Sequence, residues 1–393
     1  MKLTLCALFL SASLCTVLHA GELPPLPKPL AVADYVPPAN RSAELQAFDK
    51  AVLFLSATQE NDGHWDARKA GAAPEFCNQN GDVALTALAT YVLLCTTQGK
   101  QQNRDALMRA KRGLDWLRTY LKPDGCIVDE SKPGEPVVAQ LLASMAFLQS
   151  ASMSTRSTLR EAATATVRYA ILKMGSATGG FGATPLAGVV RADVTALATF
   201  VFRSARMEDV KLHDTNLKID TEIETALKAG AKALLINPDS KDGIYSMFSD
   251  DKKPDWDATV AGALTQVLLL APPSALAGSM KYMFKEEAAD KSYPGLLKQL
   301  TWGQKGEGYR ALSIWQGSMT VVYLYQEHTK EWKGWTAATS PILLQHQSKD
   351  GSWDAAGPDA LRGGRIWRAG IHALALILLS PPPPPAPPPP DTP

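Results

Sequence analysis

Neither sign of charge dominates this 393-residue chain: 40 Lys and Arg stand against 39 Asp and Glu. A nucleic-acid binder needs a basic surplus to neutralise phosphates, so no such partner is expected. Cysteine is scarce as well, with five in the whole chain. Alternating strand patterning is almost absent, which argues against sheet-based folds. Hydrophobic residues at 46% and charged ones at 20% make an ordinary globular balance, and a chain this long can bury a large core without metal or disulfide staples.

The longest apolar stretch is N-terminal, from Leu3 to Leu18 behind Lys2. With a small residue at Ala20, residues 1–20 read as a secretory signal peptide cleaved after Ala20. The run is broken by Ser and Thr and is short for a membrane anchor, so no span is expected after cleavage. The mature protein is then exported, to a periplasm, a cell envelope or the medium. Cys6 and Cys15 leave with the signal peptide. Cys95, in the apolar run "LATYVLLCT", reads as a buried free thiol. Cys77 and Cys126 fall in equivalent loops of neighbouring units and form the disulfide candidate, with two separate free thiols as the alternative. Residues 21–40 are a Pro-rich spacer and residues 381–393 a stiff polyproline tail, for which no protein partner is evident.

Between them, residues 41–380 repeat. "QENDGHWD" (59–66) returns as "QSKDGSWD" (347–354), and aligned on that loop Trp65 matches Ile127, Phe181, Tyr245, Tyr309 and Trp353. An amphipathic helical pattern precedes each loop and a more apolar, Ala-rich one follows it. Helix, Gly-turn, loop, helix, repeated six times, predicts an all-α fold. Two concentric rings, an α6/α6 toroid, fit best because the two end units carry the fullest motif, as expected where a ring closes. An open superhelical solenoid is the competing arrangement.

Gln59, Gly63 and Trp65, repeated as Gln347, Gly351 and Trp353, resemble the QW repeat of squalene and other terpenoid cyclases, found more loosely in protein prenyltransferases. "GGFG" (179–182) is similar to the glycine loop of the prenyltransferase repeats. The resemblance implies that these residues brace helix pairs: the Gln amide serves unpaired backbone groups at helix ends, and the Trp packs over it.

Chemistry is sought where the inner helices begin. Asp82, Asp193 and Asp257 sit at those starts, and capping is the first reading of each, since Asp is a favoured N-cap. "PDWDATVAG" (254–262) also resembles the Asp-x-Asp-Asp-Thr-Ala motif of class II terpene cyclases. That likeness implies Asp257 as the acid and Asp255 as its partner, although Ala258 replaces the third Asp. Arg191 stands where Asp193 would need its own acidic neighbour, and a nearby Arg favours the ionised carboxylate. Trp256, Tyr309 and Trp315 are candidate ligand-facing aromatics. Asp82 and Asp193 join them at the rim, and His372 is a candidate for the central cavity. The prenyltransferase zinc set is missing, because Asp257 stands where its Cys should be. Neither metal nor cofactor is expected.

Three readings follow. The leading one is a toroid that holds an apolar, isoprenoid-type molecule in its centre. The second is an active class II cyclase using Asp257. The third is a secreted carbohydrate-active enzyme or a non-catalytic scaffold.

Overall fold

The structure, a computed structural model, describes residues 29–96, 103–154, 156–186, 188–206, 219–235, 243–250, 253, 255–284, 311–324, 329–354 and 359–380. Among them the chain is all-helical, with isolated β-bridges and no strands. Tyr309 lies outside the described residues. So do residues 1–28 and 381–393, which hold the expected signal peptide, part of the spacer and the tail.

One class of helix is buried nearly all round. It comprises α3 (Gln79–Cys95), α5 (Pro136–Ser152), α7 (Ala192–Ala205), α9 (Trp256–Leu268), α11 (Ala311–Tyr323) and α13 (Asp359–Leu379). In α5 every residue from Pro136 to Ala151 is buried. The other class buries a stripe: α1 (Ala43–Thr58), α4 (Arg104–Tyr120), α6 (Ser157–Tyr169), α8 (Ile219–Leu235), α10 (Pro273–Phe284) and α12 (Thr329–Gln345). In α4 the buried set is Ala106, Arg109, Ala110, Gly113, Leu114 and Leu117, at the three-and-four spacing of one helix face. A short helix, α2 (Ala67–Ala70), follows the first loop.

The fully buried helices touch in order: α3 packs on α5, α5 on α7, α7 on α9, α9 on α11, α11 on α13, and α13 again on α3. The succession returns to its start. Each amphipathic helix leans on the buried helix before it, α4 on α3, α6 on α5, α8 on α7, α10 on α9 and α12 on α11. The first helix follows the same rule by reaching the end of the chain, for α1 packs on α13.

Turns and caps set these elements. Ser42 and Asn103 cap α1 and α4 by accepting from the N–H of Leu45 and Ala106. Gly63 and Gly351 take positive φ, of 104° and 87°. A Cβ at Gly63 would also stand 2.6 Å from the Arg112 carbonyl, so turn and close approach both require glycine.

The cysteine expectation is corrected. Cys77, Cys95 and Cys126 are all free. Instead of meeting, Cys77 Sγ donates to Ala72 O at 3.4 Å and Cys126 Sγ to Val128 O at 3.3 Å, each within its own loop.

Candidate functional site

The repeated loops come first, because they fix where the buried helices begin. Gln59 Nε2 donates to Gly63 O and to Arg109 O, both at 2.9 Å. Trp65 Nε1 donates to Leu55 O at 2.9 Å, and its ring is fully buried. At the far end of the chain, Gln347 Nε2 donates to Gly351 O at 3.0 Å and Ala47 O at 2.8 Å, and Trp353 Nε1 to Leu343 O at 2.8 Å. In both places one amide ties its own turn to the next amphipathic helix. The second repeat keeps the two acceptors and changes the donor: Gln140 of α5 reaches Gly125 O at 2.9 Å and Thr166 O at 3.1 Å.

A further layer escaped the sequence reading. The N–H of Trp65, Phe181 and Tyr245 donates to the hydroxyl of Thr86, Thr195 and Thr259, at 3.0, 3.0 and 3.2 Å. Ile127 N–H uses Gln140 Oε1 in the same way, at 3.1 Å. These hydroxyls give the true register of the helix starts. Asp193 and Asp257 precede their threonine by two residues, whereas Asp82 precedes Thr86 by four. The three aspartates therefore do not share one phase.

Their duties differ too. Asp82 Oδ1 accepts from Ala67 N at 2.8 Å and anchors α2, while burial raises its carboxyl above the usual range. The cap of α3 is Asn78 instead. In the fourth repeat the cap is Asp255, whose Oδ1 accepts from Ala258 N at 2.8 Å, and Asp257 is buried inside the first turn of α9. Trp256 faces the amphipathic helices: its Nε1 donates to Met283 O at 3.0 Å, and its ring stacks on Trp335 at 6.1 Å. His372 lies edge-on to Trp353 at 5.0 Å, within the last brace. Burial, aided by Arg368, holds its imidazole well below the ordinary histidine range and therefore neutral.

Asp193 sits in a charged cluster with Arg191, Glu135 and Arg362. Arg191, at the N-cap of α7, clasps it through Nε–Oδ1 at 3.1 Å and Nη2–Oδ2 at 2.7 Å, and also donates to Glu135 Oε1. Arg362, from the first turn of α13, lies 2.9 Å from Glu135 Oε2 and 3.1 Å from Asp193 Oδ2. From α11, Gln316 Nε2 donates to Asp193 O at 3.0 Å. Two neighbouring pairs that are separated in the succession, α5 with α7 and α11 with α13, are thus joined at one level. Burial alone would push the Asp193 carboxyl up; Arg191 and Arg362 outweigh it and hold the group well below the usual carboxylate range.

Two of these groups sit at non-helical backbone. Glu135, at the N-cap of α5, has φ 54°, a left-handed conformation that costs a non-glycine residue about 1–3 kcal/mol. Arg362 precedes a break in α13, where Gly363 and Gly364 leave helical geometry. A Cβ at Gly364 would stand 1.9 Å from Ala70 O, so the break needs that glycine.

No protein-family model matches the chain, and no curated protein matches it by sequence. Solved structures do match. A protein from Actinoplanes is 13% identical, with TM-score 0.48 over 86% of this chain and 99% of its own. A possible member of the GH105 family from Salmonella enterica is 12% identical, with TM-score 0.49 over 88% and 96%. The type II terpene cyclase MstE from Scytonema, in complex with geranylgeranyl dihydroxybenzoate, is 14% identical, with TM-score 0.30 over 86% and 97%. At these values the likenesses transfer no residue role and no substrate.

Below the charged cluster the same cross-connection turns apolar. Trp315 of α11 meets Phe200 of α7 edge-on at 5.4 Å, and both are buried. Beside the cluster, Phe248 and Leu361 are exposed, as is Leu186 elsewhere in the α6–α7 connection. Phe248 is bridged to Arg191, and Leu361 adjoins Arg362 in sequence. Among the described residues, no group of three or more His, Cys, Asp or Glu could hold a metal ion, and no helix is long and apolar enough to cross a membrane.

Of the site residues that sequence reasoning missed, Arg362 carried one signal: the Gly-Gly pair after it, inside a stretch that otherwise reads as helix. Glu135 was legible as the acid at the start of the second repeat's buried helix, in "PGEP", where proline and glycine flank it.

Proposed function

We propose that the mature protein is an exported α6/α6 toroid of six helix-pair repeats, related to the terpenoid-cyclase and prenyltransferase repeat proteins, which binds an apolar, isoprenoid-type molecule without transforming it. One observation favours binding over acid catalysis: the partner that Asp257 would need, and the other carboxylate at a helix start, Asp193, are already engaged. Asp193 is kept ionised between two guanidiniums, and Asp255, the expected partner of Asp257, gives its carboxylate to the cap of α9. A strong acid needs a proton held against neighbouring negative charge, and a carboxylate clasped by Arg191 and Arg362 has the opposite surroundings. The aromatic contact of Trp315 with Phe200 and the exposed Phe248 and Leu361 beside Arg191 and Arg362 supply apolar surface.

Native mass spectrometry on mature protein from its own host tests the reading. A retained mass of isoprenoid size, lost in Trp315→Ala, is the expected result. Empty protein that also ignores added farnesol and geranylgeraniol overturns it, and conversion of either alcohol's diphosphate would restore the cyclase reading.

A further inference from the structure

Away from the charged cluster, one repeat turn brings two reactive side chains together. The turn after α1, α4, the α6 segment and α12 has a common form. The N–H of its first residue donates to the carbonyl of its fifth, in the pairs Glu60–His64, Lys122–Cys126, Ser176–Gly180 and Ser348–Ser352, at 2.8, 2.8, 2.7 and 2.7 Å. The N–H of its fourth residue, a glycine, donates back to the carbonyl of the first. First and fifth residues are therefore held as cross-turn neighbours. In the second repeat they are a lysine and a cysteine, and Lys122 Nζ lies 3.8 Å from Cys126 Sγ.

The surroundings select what that pair can do. Cys126 is 2% exposed and Lys122 is exposed, so the thiol is shielded while the amine reaches it from the surface. Tyr169 donates to Glu130 at 2.5 Å. Burial, then the hydrogen bonds with Glu130 and Cys126, push the Tyr169 hydroxyl far above its ordinary range, so it stays neutral and adds no charge beside the sulfur. Cys77, the other thiol expected nearby, is turned to Ala72 O in its own loop. Cys126 thus has an amine as its reactive neighbour and no bonded thiol.

We propose that Lys122 and Cys126 form a reversible nitrogen–oxygen–sulfur bridge when oxidised by dioxygen. Lysine, as the free amine, gives up one N–H hydrogen, and the thiol gives up its S–H hydrogen. The O–O bond breaks. One oxygen joins the two side chains through new S–O and O–N bonds; the other leaves as water with both hydrogens. Sulfur and nitrogen together supply the four electrons that reduce dioxygen. Two equivalents of a dithiol reverse the step, returning amine and thiol and releasing the bridging oxygen as water. Burial of Cys126 limits further oxidation of the sulfur up its usual ladder. The bridge would clamp the turn that leads from α4 into α5, in the repeat whose brace amide comes from Gln140.

The test compares full-length mature protein kept in oxygenated buffer with the same protein treated with dithiothreitol. Expected is a mass gain of one oxygen with loss of two hydrogens, confined to the peptide holding residues 122–126, with Cys126 refusing alkylation in denaturant until dithiothreitol is added. Lys122→Arg should abolish the mass change and leave Cys126 fully alkylatable, and Cys126→Ser should abolish it too. Complete alkylation of Cys126 in the oxygenated wild type overturns the proposal. So does a bond to Cys77, or a mass change that survives in Lys122→Arg or resists dithiothreitol.

Discussion

Arg362 Nε stands 2.9 Å from Glu135 Oε2, although 227 positions separate the two residues in the chain. The contact joins the start of α13 to the start of α5, with α3 lying between those helices in the packing order. Arg362 and Glu135 are only 13% and 15% exposed, and Asp193 only 6%. Removing one member of such a cluster leaves the others charged and poorly hydrated. Arg362→Ala should therefore cost about 3–5 kcal/mol, more than a surface ion pair would. Urea unfolding of the variant and of Arg362→Lys measures it; a loss below about 1 kcal/mol would place the cluster in solvent.

Acid should destabilise the protein in two stages. His372 has a depressed pKa in the folded protein, so the unfolded chain binds the proton more readily, and stability falls as pH drops below about 6.5. Asp193 is also depressed, so its contribution is complete above the unfolded carboxylate value of about 3.9 and is lost as pH falls below it. Thermal unfolding between pH 8 and pH 3 should show both. His372→Gln should flatten the first stage and leave the second.

The brace amides can be separated from the threonine layer. Gln347→Ala removes two hydrogen bonds, each worth about 1 kcal/mol, at the contact of α12 with α1. Hydrogen exchange should then quicken in α1 before it does in α5. If α1 is unaffected, Gln347 does not hold that contact.

Thr195→Val keeps the shape but strands the buried N–H of Phe181, at a cost of about 1–3 kcal/mol. Thr195→Ser should restore most of it. Equal losses in both variants would mean that the methyl group, not the hydroxyl, matters.

Asp255→Ala should cost about 1 kcal/mol of stability through loss of the α9 cap, with ligand retention intact. Asp257→Ala should leave retention intact as well. Loss of retained ligand in Asp257→Ala, with the helical signal preserved, would return that residue to the site.

The braces were legible because one short stretch is written twice, and Gln59 and Gln347 make the same pair of contacts. Gln140 shows the limit of that method: the acceptors recur while the donor moves to another helix, so a search for a Gln before the turn passes over it. The helix classes were equally readable, since burial follows the apolar pattern in α4 and α5. The threonine layer was present in the letters, as "TALAT" at both 86–90 and 195–199, but aligning on acids hid it. Of the charged cluster, the Arg191–Asp193 pair was readable because the two lie two positions apart, but its assembly with Glu135 and Arg362 was not. It depends on contacts between distant segments, and on a break at Gly363 and Gly364 that a helical pattern does not announce.

One consequence belongs to the packing of α1 on α13. Phe54, late in α1, lies under the guanidinium of Arg365, early in α13, so the two helices run in opposite directions. In a stack of repeats the outermost units have one bare side, and melting starts there. Here the first helix and the last pack on each other, so each covers the side that the other would leave bare.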